Sequence, residues 1–153
     1  MDFKQWLEGN QQVDIKWIDP EEDWELAERV EVIGREVGIR FNSNKDVSFA
    51  AMVGDQVVGG VADAFYNDDQ WGDESREARV YDFDTVVAPQ WQGPQMIGFQ
   101  LIDAALQHAK EGDADLVSTH VVNLRLIPLL KSKYGFEGSS NREDRSDVLH
   151  KWL

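Results

Sequence analysis

The stretch VYDFDTVV sets two carboxylates, Asp82 and Asp84, in alternation with Tyr81, Phe83 and Thr85. Successive side chains of a strand point to opposite faces, so both carboxylates belong to one face. Unpaired charge is costly to bury, and burial together with like-charge proximity raises a carboxyl pKa. That moves such a group towards the range in which a general base works near neutrality. One carboxylate can then receive a substrate proton while the other holds a cationic group. The same pair can instead be structural, satisfied by Arg79, Arg125 or solvent. His120, expected on the adjacent strand, is a reserve base or else a core or edge histidine.

A second stretch follows directly: VVAPQWQGPQMIGFQLI, residues 86–102. A branched strand end runs into Pro89, then into a turn with Gly93 and Pro94, then into an apolar helical pattern from Ile97. A turn between a strand and a helix N-terminus suits a phosphate, because unpaired N–H groups and the helix dipole favour an anion there. Pro94 offers no N–H to such a cradle, and Gln95 stands where a glycine would admit a ligand to the backbone.

The elements that must position these residues can be read along the chain. VDIKWID alternates as a strand. Pro20 then opens an acidic first turn, and Leu26, Val30, Ile33 and Val37 at helical spacing predict an amphipathic helix closed by Gly38. DVSFAAMVGDQVVGGVADAFY reads as a hairpin about Gly54-Asp55, and NDDQWGDES as a polar acidic loop. EARVYDFDTVVAP is a long strand, and a second main helix is expected from about residue 93 to 112. DLVSTHVV is a strand, NLRLIPLLKSKYGF holds a short helix starting near Ile127 and ending at Gly135, and SDVLHKWL is a closing strand. Alternation of this kind gives an α/β (α+β) fold, with helices on the faces of a mixed sheet. A ligand is expected at the carboxyl end of a central strand.

The 153 residues fit one domain spanning 1–153, and 42% hydrophobic with 10% aromatic content marks a globular chain. No apolar run reaches the length of a membrane span, and MDFKQWLEGN is not a signal peptide, so a cytoplasmic protein with no membrane partner is expected. The absence of cysteine excludes disulfides, thiolate catalysis and zinc–sulfur sites, and His108, His120 and His150 are too dispersed to propose a metal site. The net charge is −14. Residues 1–75 carry 6 basic and 18 acidic side chains, against 9 and 11 in residues 76–153. Such a field repels nucleic acid and attracts cations, so no nucleic-acid partner is expected. The first half can face a cationic partner while the second tolerates an anionic ligand, or the charge serves solubility alone.

Four segments in order resemble the GNAT superfamily of acyl-CoA-dependent N-acetyltransferases: VGDQVVGGV, VVAPQWQGPQMIGFQLI, NLRLIPLLKSKYGFEG and DVLHKWL. The resemblance implies a mixed, mostly antiparallel central sheet of six to seven strands with helices on both faces. It also implies acetyl-CoA as cosubstrate. Carried over by position, Val86 and Val87 face the pantetheine arm, and Gln92 and Gly93 occupy the Arg/Gln-Gly pair of the cofactor motif. The amides of Gln95, Met96, Ile97 and Gly98 would hold the pyrophosphate in a widened loop, and Asn123 matches the Asn that leads into the following helix. Gln95 replaces a motif glycine, and Gly98 arrives one place late. Two other readings of the loop stay open: the cofactor has been lost with only the fold kept, or Pro94 simply starts a structural helix. Many members place a Tyr four residues before the glycine of Gly-Phe; here that slot holds Lys131. Tyr134 fits the helix's core side, and no general acid is assigned.

The resemblance implies transfer of an acetyl group to a primary amine, on a cationic small molecule or on a basic protein surface bearing a lysine or N-terminus. Asp84, nearer to Val87, would then be the base, and Asp82 would hold the acceptor ammonium. The alternative is a catalytically inactive domain of this fold serving as a binding or assembly part, phage-encoded and virion-associated. A weaker third is an acidic mimic of nucleic acid. A homodimer is among the assemblies compatible with the sequence.

Overall fold

Gly54, at φ 59°, and Asp55 close a two-residue turn, the conformation that glycine adopts at no steric cost. The strands on either side of it are β2 (Asp46–Val53) and β3 (Gln56–Trp71). The computed structural model describes residues 12–39, 41, 44–71, 76–93, 96–121, 124–141 and 146–153. The other elements are β1 (Asp14–Trp17), α1 (Trp24–Glu36), β4 (Arg76–Val87), α2 (Ile97–Glu111), β5 (Leu116–Val121), α3 (Ile127–Tyr134), β6 (Glu137–Asn141) and β7 (Ser146–Trp152). One seven-stranded sheet has the order β1-β2-β3-β4-β5-β7-β6. β1 is antiparallel to β2, β4 is parallel to β5, and β7 is antiparallel to both β5 and β6. The sheet is mixed, as expected.

Two neighbouring glycines explain how helices reach both faces. A Cβ on Gly60 would lie 2.6 Å from Val30 Cγ1 of α1, and one on Gly59 would lie 3.4 Å from Leu101 Cδ1 of α2. Adjacent strand residues face opposite ways, so α1 and α2 press on opposite faces, each where a side chain has been omitted. Val30 and Leu101 are both fully buried there.

The chain forms two compact units. The first comprises Met1–Arg40, Val47–Val61 and Thr85–Ile102, with Ile18, Val30, Val58, Val86 and Ile97 in its interior. The second comprises Phe41–Asp46, Ala62–Asp84 and Asp103–Leu153. There Ala78, Val80 and Leu116 pack with Trp152, and Phe65, Tyr81 and His108 form an aromatic cluster with centroids 4.8–5.6 Å apart.

Several element boundaries differ from the sequence reading. α1 begins at Trp24 and not at Pro20, because Asp19 Oδ1 accepts the N–H groups of Glu21 and Glu22 at 2.9 and 3.3 Å and turns the chain first. The expected loop from Asn67 is strand as far as Trp71. α2 starts at Ile97, later than the expected residue 93. β6, EGSSN, was not expected as a strand; it is an edge strand whose ladder to β7 supplies what its side chains do not.

Candidate active site

Among the described residues, β4 runs on past its ladder with β5. The β4–β5 register covers Val80–Phe83 against Leu116–Thr119, and Asp84–Val87 lie beyond it. Ala88 N–H donates to Val58 O at 2.8 Å, which keeps this end of β4 tied to β3. Neighbouring residues of a strand point their backbone groups to opposite edges, so those of Val87 face away from β3. Val87 O accepts the side-chain amide of Gln92 at 2.8 Å.

Between them the chain makes a tight turn at Pro89–Trp91, closed by Trp91 N–H to Ala88 O at 2.8 Å. Trp91 is buried. Gly93 has φ 130°, open to glycine alone, and Met96 has φ 55° with an exposed side chain. Met96 N–H returns to Gly93 O at 3.0 Å, and Met96 O accepts both Phe99 and Gln100 N–H at 3.1 Å. Met96 therefore caps α2, and the amides of Ile97 and Gly98 fall in the first turn, where helical N–H groups have no intrahelical acceptor.

Gly98 carries the most information. Its φ is not in the left-handed region, and an added Cβ would meet only Val87 Cγ2, at 3.8 Å. Neither packing nor backbone conformation requires glycine at this position. A bare backbone at a helix N-terminus next to the strand end fits a ligand that comes close, and an anionic one best. Val86, Val87, Gln92, Gly93, Met96, Ile97 and Gly98 thus fall in one segment of the first unit. Gln95, Pro94 and Asn123 lie outside the described residues.

The carboxylates belong to the second unit, and the structure gives them a partner that the sequence did not. Lys45 Nζ lies 2.8 Å from Asp84 Oδ2 and 3.2 Å from Asp82 Oδ2. Arg79, one of the partners weighed for a structural pair along with Arg125 and solvent, is committed elsewhere: its Nε donates to Gly112 O at 2.9 Å and its guanidinium lies over the Phe65 ring. The side chains of Lys45 and Asp84 are 7% and 8% exposed, whereas Asp82 is 25% exposed. Burial raises the Asp82 carboxyl above the ordinary range, against the pull of Lys45. For Lys45 burial works to lower the value, but the carboxylates of Asp84 and Asp82 outweigh it and hold the ammonium above its ordinary pKa. With all three groups ionised the cluster carries one net negative charge, and Asp82 is the carboxylate that solvent reaches.

Tyr66 adds a neutral phenol near this cluster, pushed up to about 12 by burial and then by Asp82 and Asp68. Ser118, opposite Asp82 in the β4–β5 register, is buried, and His120 further along β5 is exposed. The other face of β4 is occupied differently, since the buried Tyr81 hydroxyl donates to Asp63. Tyr134 is half-buried, not core, and its hydroxyl donates to Asp103 Oδ1 at 3.0 Å.

The chain belongs to the acetyltransferase (GNAT) family, whose sequence model matches residues 10–136. A comparison with curated protein sequences gives no match. Among solved structures the chain is similar to NAA60 of Arabidopsis thaliana in complex with acetyl-CoA, at 15% identity and TM-score 0.66 over 93% of this chain and 100% of that one. It is similar to Arabidopsis thaliana Naa50 in complex with the bisubstrate analogue CoA-Ac-MVNAL, at 16% identity and TM-score 0.63 over 92% and 99%. Ard1 of Thermoplasma volcanium aligns at 14% identity and TM-score 0.65 over 92% and 97%. At these identities the likeness is one of fold, and the fold is that of the family.

Proposed function

We propose that the protein transfers an acetyl group from acetyl-CoA to a primary amine, on a cationic small molecule or on a peptide lysine or N-terminus. The observation that carries this reading is Gly98, a glycine that neither its φ nor its packing demands, set in the first turn of α2 beside Val87. The relatives solved with acetyl-CoA and with CoA-Ac-MVNAL support the same cosubstrate and a peptide-borne amine as one acceptor class.

In this reading the amides of Ile97 and Gly98 hold the pyrophosphate, and the Val87 backbone faces the acyl-bearing arm. Gln92 ties the loop to Val87 and so fixes one against the other. The acceptor arrives as an ammonium, drawn by the net negative charge of the Asp82–Asp84–Lys45 cluster. One ammonium proton passes to a carboxylate, and the freed nitrogen lone pair forms a bond to the thioester carbonyl carbon. The C–S bond breaks with its electron pair going to sulfur, and the nitrogen's second lost proton balances the one sulfur gains. Burial of Asp84 favours Asp82 as the carboxylate that meets the acceptor, and so the reverse of the division expected from distance along β4.

A second reading, an inactive domain used for binding or assembly, has one observation behind it. The slot where many family members hold a Tyr acid is Lys131, an exposed residue of α3. An assay of thiol release from acetyl-CoA against a panel of polyamines, lysine peptides and free peptide N-termini separates the two. Release that depends on the amine supports transfer. Release indistinguishable from the buffer blank for every amine rejects it.

A further inference from the structure

Lys45 stands just before β2 in the stretch FNSNKDVS, and no helical or strand periodicity marks it. Even so its side chain is as buried as that of Asp84, and its ammonium contacts both carboxylates. Without a cation the two carboxylates, on one face of one strand, would repel where water hardly reaches Asp84 and reaches Asp82 only in part. With it the contacts are unequal: the shorter goes to the buried Asp84 and the longer to the more exposed Asp82. We propose that Lys45 is the positioning residue of the acceptor site, closing Asp84 into an ion pair and thereby leaving Asp82 as the carboxylate that receives the acceptor's proton. This rests on the acetyltransfer reading, and it adds a division of labour that two adjacent carboxylates alone do not have.

Among the described residues, the charged and titratable groups that face Asp82 are Lys45 ahead of β2, Asp84 on its own strand, Tyr66 from β3 and His120 from β5. Tyr81, next to it on β4, turns to the opposite face and Asp63. Of these, Lys45 and Asp84 pull Asp82 in opposite directions. Removing one or the other must therefore displace its titration with opposite sign, and a merely structural pair has no such signature in turnover.

The test follows the Asp82 carboxyl by carbon NMR in the unliganded chain, and kcat/KM against pH with an amine that the assay accepts, in Lys45→Met, Lys45→Arg and Asp84→Asn. Lys45→Met is expected to move both the Asp82 titration and the acid limb of kcat/KM to higher pH, by about half a unit or more. Asp84→Asn, which leaves Lys45 to Asp82 alone, is expected to move both to lower pH. Lys45→Arg should restore the wild-type profile. The dissociation constant for acetyl-CoA should stay within about twofold throughout, so failure to bind acetyl-CoA would count against the acetyltransfer reading and not against the cluster. Shifts of the same sign in the two variants, or none, overturn the assignment whatever the activity. If Lys45→Met does not fold, Asp84→Asn decides alone: an unmoved or raised Asp82 titration overturns it. Displaced carboxyl titrations with an unmoved kcat/KM profile also overturn it, because Asp82 would then not be the proton acceptor.

Discussion

Gln92 donates its side-chain amide to the carbonyl of Val87 across 2.8 Å, tying the loop after β4 to the last residue of the strand. Loss of this bond frees the loop while leaving the amides of Ile97 and Gly98, proposed to hold the pyrophosphate, unaltered. Gln92→Ala is expected to weaken acetyl-CoA binding by about two- to tenfold, the equivalent of one net hydrogen bond of ~0.5–1.5 kcal/mol. The site is exposed, so chemical denaturation should register a change of no more than about 0.5 kcal/mol. Calorimetric titration and urea unfolding of the same variant check both.

Gly98 gives a prediction in which stability and binding move apart. An added methyl has room, 3.8 Å from Val87 Cγ2, and alanine is the better helix former. Gly98→Ala should therefore stabilise the fold by up to ~0.5–1 kcal/mol. The same methyl lies where the ligand comes close to the backbone, so acetyl-CoA affinity should drop about tenfold or more. Unfolding midpoints together with a binding titration read the two signs.

The alkaline limit of stability should report the buried cluster. Lys45 binds its proton more tightly in the folded chain, so its contribution is complete below the unfolded value of 10.5 and is lost as pH rises through the higher folded value. Tyr66 has the same sign, its phenol moving from 10.0 to about 12. Stability should thus fall between about pH 10 and 12. Asp82 is also raised, so its contribution is present below its unfolded 3.8 and is lost as pH rises through the folded value. Urea midpoints across pH check this, with a shallower alkaline fall expected in Lys45→Met and, in Asp82→Asn, a smaller fall as pH rises from below 3.8 through the acid range.

Tyr134 joins α3 to Asp103 of α2. Tyr134→Phe removes that hydroxyl from a half-buried position and should cost about 0.5–1 kcal/mol, towards the low end for a hydrogen bond. Turnover should be unchanged, because the hydroxyl is spent on Asp103 and not offered as an acid. A fall in kcat without a change in unfolding midpoint would contradict this role.

The fold was legible where local chemistry and tertiary context agree. Gly54-Asp55 turns as turn residues do, Gly135 closes α3 at φ 75°, and the alternation of VYDFDTVV does put Tyr81 and Asp82 on opposite faces. It was not legible where a contact distant in sequence decides. Lys45 meets Asp84, 39 residues away, and no spacing announces that pairing. β6 carries Gly and Ser that read as a turn, and it becomes a strand only because β7 presents a ladder to it. The start of α1 was missed because the side chain of Asp19 caps a turn ahead of Trp24. In the loop, the motif place of Gln92 implies a part in cofactor binding, while its bond to Val87 is visible only in three dimensions.

Titration of the intact chain with acetyl-CoA, by calorimetry and by thermal unfolding, tests the central claim most directly. The expected dissociation constant is roughly micromolar, about −8 kcal/mol. At about a hundredfold excess over that constant the ligand should stabilise the fold by ~2.7 kcal/mol, and Trp91, buried beside the loop, should report binding by its fluorescence. Neither heat nor a shift in unfolding temperature at millimolar acetyl-CoA would contradict it.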